Sequence, residues 1–188
     1  MNDTATDLTA TGGAPRDGAP VDGVPAPPAV AGRAPLRAGW FAFDALSLAR
    51  LYAVLKLRVD VFIVEQVCPY PEIDGQDAEA RHFLVESEDG DLAAYLRLFA
   101  PADARAAGRA ARLGRIVTAP AWRGCGLGDY LMRAGLATCA RLFPDHDVEL
   151  AAQAHLQGFY EAHGFHCVSD IYPEDGIPHV DMRRPAGT

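Results

Sequence analysis

The run Arg123-Gly124-Cys125-Gly126-Leu127-Gly128 combines residue types that suit one task, the holding of an anion. Glycines let successive backbone N–H groups turn toward one point and approach an oxygen closely. The apolar spacing of Leu127, Tyr130, Leu131, Ala134 and Thr138 predicts a helix that begins at the same place, and its first turn presents the positive end of the peptide dipoles. Arg123 adds a fixed charge at the rim. Together these groups make a pyrophosphate cradle; the alternative is a tight turn closed by glycines. Other phosphate loops fit less well. A P-loop needs a lysine after its glycines, and the only lysine of the chain is Lys56. A dinucleotide fingerprint begun at Gly124 and Gly126 would need its third glycine where Asp129 stands.

Other candidates are weaker. His163 and His166 have H-x-x-H spacing, but Gly164 separates a helix from a strand there and no third ligand is evident, so no metal site is expected. The four cysteines (Cys68, Cys125, Cys139 and Cys167) form no C-x-x-C pair and read as reduced thiols of a cytoplasmic protein. Cys125 sits inside the glycine turn, either as a thiol activated by the helix end or as a small tolerated residue.

The elements that must position these groups follow from local pattern. Trp40 to Phe43 reads as a strand. Ser47 caps a helix whose apolar stripe is Leu48, Leu51, Tyr52, Leu55 and Val59. Cys68-Pro69-Tyr70-Pro71 stops any helix, and Ile73 to Asp77 is a polar loop. Two strands, His82–Glu86 and Leu92–Leu98, flank an Asp89-Gly90 hairpin signal. Arg112–Thr118 is a strand ahead of the glycine turn, and Val148–Ala152 another after the long helix. A short helix, Leu156–His163, is closed by Gly164, and late strands cover Phe165–Val168 and Val180–Met182. The order describes a mixed α/β sandwich.

Composition bounds the rest. The chain has 188 residues, 49% apolar types and 22% charged types, as expected of one globular domain. A net charge of −8 argues against a general nucleic-acid or anionic-membrane binder, and no apolar run is long enough to span a bilayer. Residues 1–36 hold six prolines, five glycines and no aromatic side chain, and read as a disordered leader before a domain over 37–185.

The segment from Ile116 to Gly128 resembles motif A of the GCN5-related N-acetyltransferases (GNAT), Q/R-x-x-G-x-G/A, with Arg123, Gly126 and Gly128 at the signature positions. Leu57 to Gln66, Cys68-Pro69-Tyr70, Ile73-Asp74-Gly75, Gln153 to Tyr160 and Glu174 to His179 resemble the ElaA-like branch. The resemblance covers about residues 38–185. It implies a mixed sheet of about seven strands with flanking helices, whose two central parallel strands, 112–118 and 148–152, splay apart. It further implies acetyl-CoA in that gap, the pantetheine arm paired along Ile116-Val117-Thr118 and the pyrophosphate on Arg123, Gly124, Cys125, Gly126, Leu127 and Gly128. A backbone N–H of Val117 or a neighbour would polarise the acetyl carbonyl.

The implied reaction is direct transfer of acetyl to a primary amine of a small molecule or peptide. Tyr160 lies where many family members carry a tyrosine acid near the sulfur; the alternative is an aromatic packed under the cofactor. Glu65 is a candidate base, or else an ion-pair partner of Arg58. Arg58, Asp74, His82 and His155 are candidates for the acceptor side. Asp74 could equally shape its loop, His82 fill a core position and His155 cap the following helix. Gln153 follows a central strand, close to the splay, where it could contact the acetyl arm of the cofactor or the substrate. An acidic cleft would suit a cationic amine. A binding module of the same fold with little turnover is the competing function. The 174–179 loop could close over the acceptor or touch a second copy of the chain, so a homodimer stays open.

Overall fold

The computed structural model describes residue 24, residues 26–102 and residues 110–187. Most of the leader, residues 1–23 and 25, lies outside the described residues. The described part of the leader packs on the domain: Val24, Val30 and Leu36 touch the core, the Pro35 carbonyl accepts from Glu88 N–H at 2.9 Å, and Leu36 already opens the first strand.

One sheet of eight strands organises the chain: β1 (Leu36–Ala42), β2 (Arg81–Ser87), β3 (Leu92–Phe99), β4 (Ala111–Thr118), β5 (Val148–Gln153), β6 (His166–Cys167), β7 (Tyr172–Glu174) and β8 (Ile177–Arg184). Their spatial order is β1-β2-β3-β4-β5-β8-β6, with β7 also paired to β8. The extra strand relative to the expected seven is β7. It forms a hairpin with β8 through Asp175 and Gly176, both at positive φ, where the sequence pattern suggested only a loop. All neighbours are antiparallel except β4 and β5.

The helices cover both faces. On one side α2 (Leu127–Leu142) buries Leu127, Tyr130, Leu131, Ala134 and Thr138, as its periodicity predicts, against Leu96, Leu98 and Leu113. On the other side lies α1 (Leu48–Arg58), continued by a π-helical turn over Val59–Glu65. Ser47 caps α1 as expected, its Oγ accepting from Arg50 N–H at 3.2 Å. The buried face of α1 is not the expected stripe, however. Leu48 and Tyr52 are exposed, whereas Val54, Leu57 and Arg58 are buried and Val61 continues the row. Arg58 is the reason the true face was hidden: its charge breaks the apolar pattern, yet its side chain is fully enclosed by partners.

Strand β4 changes face part-way along. Its pairing with β3 runs Tyr95↔Val117, then shifts to Arg97↔Gly114, and Arg115 in the interval takes φ 52°. The extra residue is a β-bulge. It leaves Leu113 in the core under α2 and turns Val117 into the core under α1. It also sends Arg115 onto the α1 face, beside Arg97.

Candidate active site

Strands β4 and β5 pair only at Ala111↔Val148 and Arg112↔Glu149. Beyond that point each is held by its outer neighbour alone, β4 by β3 and β5 by β8 through Gln153↔His179. The inner edges therefore diverge. A cavity of about 820 Å³ fills the wedge and is lined by Gly114 to Thr118, Leu150, Gln153, His155, Phe159 and Tyr160. That volume suits a small-molecule site.

The glycine turn closes one end of this cavity. Gly124 and Gly126 have φ 75° and 81°, and a Cβ at either would meet open space, so the limit on side chains there is backbone conformation. The first hydrogen bond of α2 runs from Tyr130 N–H to the Gly126 carbonyl at 3.0 Å, so the amides just before it have no acceptor within the helix and are available to an anion or water. The Leu127 side chain is buried, and only its amide can contribute. Gly128 lies under the Phe159 ring, where a Cβ would sit 3.5 Å from Cζ. The Cys125 thiol donates to the Trp122 carbonyl at 2.8 Å, which ties it into the turn.

Along β4, Ala119 N–H donates to the Ala93 carbonyl at 2.9 Å. Alternation in an antiparallel pair then directs the Val117 amide toward β3 also. The neighbouring amides of Ile116 and Thr118 are the ones turned to the open edge. Tyr160, on the short helix α3 (Gln157–Glu161), is buried beside the cavity, packed edge-on against Phe159 and Phe165. Its hydroxyl donates to no protein acceptor among the described residues, and burial pushes its pKa up to about 12. Gln153 bridges the cavity mouth, donating from Nε2 to Gln66 Oε1 at 3.0 Å. His155 lines the same wall.

The expected acceptor residues separate into two groups. Glu65 and Arg123 meet in a bidentate pair, 2.9 Å on each oxygen, and the guanidinium holds the Glu65 carboxyl below its usual range. The partner of Glu65 is therefore Arg123 and not Arg58. Arg58, Asp74 and His82 belong to a structure that spacing did not reveal. Three arginines and three carboxylates alternate in a closed ring. Arg58 binds Glu72 and Asp77, each at 2.7 Å; Arg97 binds Asp77 at 2.7 Å and Asp74 at 2.6 Å; Arg115 binds Asp74 at 3.2 Å and Glu72 at 2.8 Å. The hydrogen bonds from Arg97 lead the forces that drive the Asp74 carboxyl well below the carboxylate range.

His82 is fully buried next to the ring, with Nδ1 2.7 Å from the Tyr95 hydroxyl and Nε2 2.9 Å from the Asp77 carbonyl. Burial lowers its pKa and keeps it neutral. A carbonyl can only accept, so Nε2 carries the hydrogen and Nδ1 takes the Tyr95 proton. Arg58 and His82 thus brace the site from behind and do not reach the cavity; the acceptor role expected of them is withdrawn. Asp74 does line it, with both oxygens engaged. Sequence reasoning missed Glu72, Asp77, Arg97 and Arg115. One signal was available: Arg97 stands between Leu96 and Leu98 in a buried strand, where a charge demands a partner. No group of histidines, cysteines and acids suited to a metal occurs among the described residues.

A glycine turn opening on two splayed parallel strands is the arrangement of an acyl-CoA-binding transferase fold. The "Acetyltransferase (GNAT) domain" family model matches residues 56–185, and the chain belongs to that family. Protein ElaA of Escherichia coli (strain K12) is 45% identical over 141 residues, covering 74% of this chain and 90% of ElaA. The crystal structure of an acyl-CoA N-acyltransferase from Pseudomonas aeruginosa is 46% identical with a TM-score of 0.72, covering 79% of this chain and 99% of that one. The crystal structure of Escherichia coli ElaA also gives a TM-score of 0.72, at 41% identity, covering 79% and 99% of the two chains. At 19% identity and a TM-score of 0.58, the spermidine N-acetyltransferase of Vibrio cholerae, in complex with CoA and spermine, shares the fold; 79% of this chain and 95% of that one are covered.

Proposed function

We propose that the protein transfers an acetyl group from acetyl-CoA to a primary amine by direct attack on the thioester. The observation that carries this reading is the wedge between β4 and β5, which runs to Arg123 and Gly128 of the glycine turn at the start of α2. The residues present fit the cofactor. Arg123 and the amides from Gly124 to Gly128 would hold the pyrophosphate, and the open edge at Ile116 and Thr118 would pair with the pantetheine arm. Bound acetyl-CoA supplies the activated acyl group.

The chain's own groups then divide the work. An amide on the open edge of β4 donates to the developing oxyanion. Tyr160 keeps its hydroxyl proton until transfer and delivers it to the departing sulfur, and the phenolate regains a proton from solvent as CoA leaves. Of the expected base candidates, Asp74 is held by Arg97 and Arg115 and His82 is sealed in the core, whereas Glu65 is bound by Arg123 only until a pyrophosphate takes that guanidinium. The acceptor's proton then leaves to Glu65 or to solvent at the cavity mouth. Four free cysteines suit a reducing compartment, and the cytoplasm is the proposed location.

Two measurements test this. Calorimetry is expected to show acetyl-CoA binding, and a thiol assay is expected to show CoA release that depends on an added amine. Absence of binding heat overturns the reading. Binding without acceptor-dependent release across amino acids, polyamines, antibiotics and peptides would favour the acyl-CoA-binding module.

A further inference from the structure

The cavity continues past the wedge onto the α1 face of β3 and β4, where Tyr70, Asp74, Gln76, Phe99, Arg112 and Arg115 line it. Four arginines line the whole cavity: Arg97, Arg112, Arg115 and Arg123. Three of them are neutralised by carboxylates, Arg123 by Glu65 and the other two within the ring. Arg112 is the exception. Among the described residues it makes no ion pair: its contacts are the Gln76 side-chain carbonyl at 3.1 Å and the face of Phe99 at 4.5 Å, and the carboxylate of its cross-strand neighbour Glu149 is bonded to Arg183 at 3.4 Å. The same ring carries the Arg97 guanidinium at 4.8 Å. These contacts orient the Arg112 guanidinium and leave it no direct carboxylate partner among the described residues. The opposite wall, beyond β5, is acidic. Glu174 and Asp175 lie in the β7–β8 turn, and the Cys68 thiol anchors that turn by donating to the Asp175 carbonyl at 3.1 Å.

We infer that the acceptor is an amine that also carries a carboxylate, of the amino-acid or short-peptide class, and that Arg112 reads the carboxylate. The inference rests on the acetyltransferase reading above. A carboxylate on Arg112 gains a charge-assisted bond at a guanidinium already held in position, whereas a second ammonium there meets a like charge. The amine end faces the Glu174 side of the gap. The acidic cleft that would suit a cationic amine is not found on the β4 wall, because the carboxylates there are paired with arginines.

The test compares matched acceptors with acetyl-CoA at saturation: the twenty amino acids and Gly-X dipeptides, their C-terminal amides, and linear diamines. Free acids are expected to exceed their amides in kcat/KM by at least about tenfold, and Arg112→Gln to remove that preference chiefly through KM, with Arg112→Lys retaining part of it. Calorimetry with acetyl-CoA runs alongside each variant. Amides or diamines turned over as well as the acids, or Arg112→Gln slowing acids and amides alike, overturns the inference while acetyl transfer stands. Acetyl-CoA bound with no amine in the panel releasing CoA overturns both.

Discussion

The two ends of the cavity are built on opposite plans. The glycine turn is local: a run of six residues, no essential side chain except Arg123, and a geometry that follows from φ values of 75° and 81° and a helix start. The charge ring is long-range: its members come from α1, from the 72–77 loop, and from β3 and β4, spanning residues 58 to 115. The turn uses backbone groups that any sequence has, once glycine frees them. The ring uses specific charges that are costly to bury and stable only when all six close on one another. The first plan makes a binding site; the second makes a rigid wall for one.

That contrast predicts a crossover between stability and binding. The largest effect belongs to Arg58→Met, which leaves Glu72 and Asp77 enclosed without their shared cation. A loss of about 3–5 kcal/mol is expected, lowering Tm by roughly 10 °C or more, with acetyl-CoA affinity of the folded protein little changed. A Tm within 2 °C of the parent, on the order of 0.5–1 kcal/mol, would show that the ring is ornamental to the fold. Next comes Tyr160→Phe, expected to lower kcat by about 100-fold through loss of the acid, while Kd for acetyl-CoA and Tm hold. Full turnover would assign Tyr160 to packing.

Gly126→Ala places a Cβ at φ 81°. It is expected to weaken acetyl-CoA binding about tenfold while costing about 1 kcal/mol of stability, the reverse of the Arg58 pattern. Unaltered affinity would mean that the turn's amides do not hold the cofactor. The smallest effect is on acid stability. Asp74 titrates below its ordinary 3.8 because Arg97 and Arg115 hold its charged form, so its contribution is complete above that pH and is lost as pH falls through the depressed value. The Tm difference between the parent and Asp74→Asn should therefore shrink on acidification below about pH 4. A difference constant down to pH 2 would contradict this coupling.

Much of the turn and little of the ring was legible beforehand. Residues 123–128 could be read because their chemistry depends on neighbours in sequence. The α2 face could be read for the same reason, since Leu127, Tyr130, Leu131 and Ala134 repeat at helical spacing. The α1 face misled, because two rows competed and the buried one contained Arg58, which an apolar count rejects. Glu65 shows a similar limit. Its ion-pair partner is Arg123 and not Arg58, and Arg123 lies 58 residues away in the chain.

By itself the amino-acid sequence determined the family, the strand–turn–helix that cradles an anion, the Ser47 cap, the β2–β3 hairpin and the identity of the tyrosine beside the gap. Those depend on short-range dihedral preference and hydrophobic period. Tertiary structure alone decided which charges meet. A bulge at Arg115 turned that side chain onto the α1 face, the register of β3 set Arg97 beside it, and the 72–77 loop supplied the acids. Coulomb attraction acts through space at a few ångströms and takes no account of sequence separation, so the ring, and the place of Arg112 beside it, emerged only once the strands were in register.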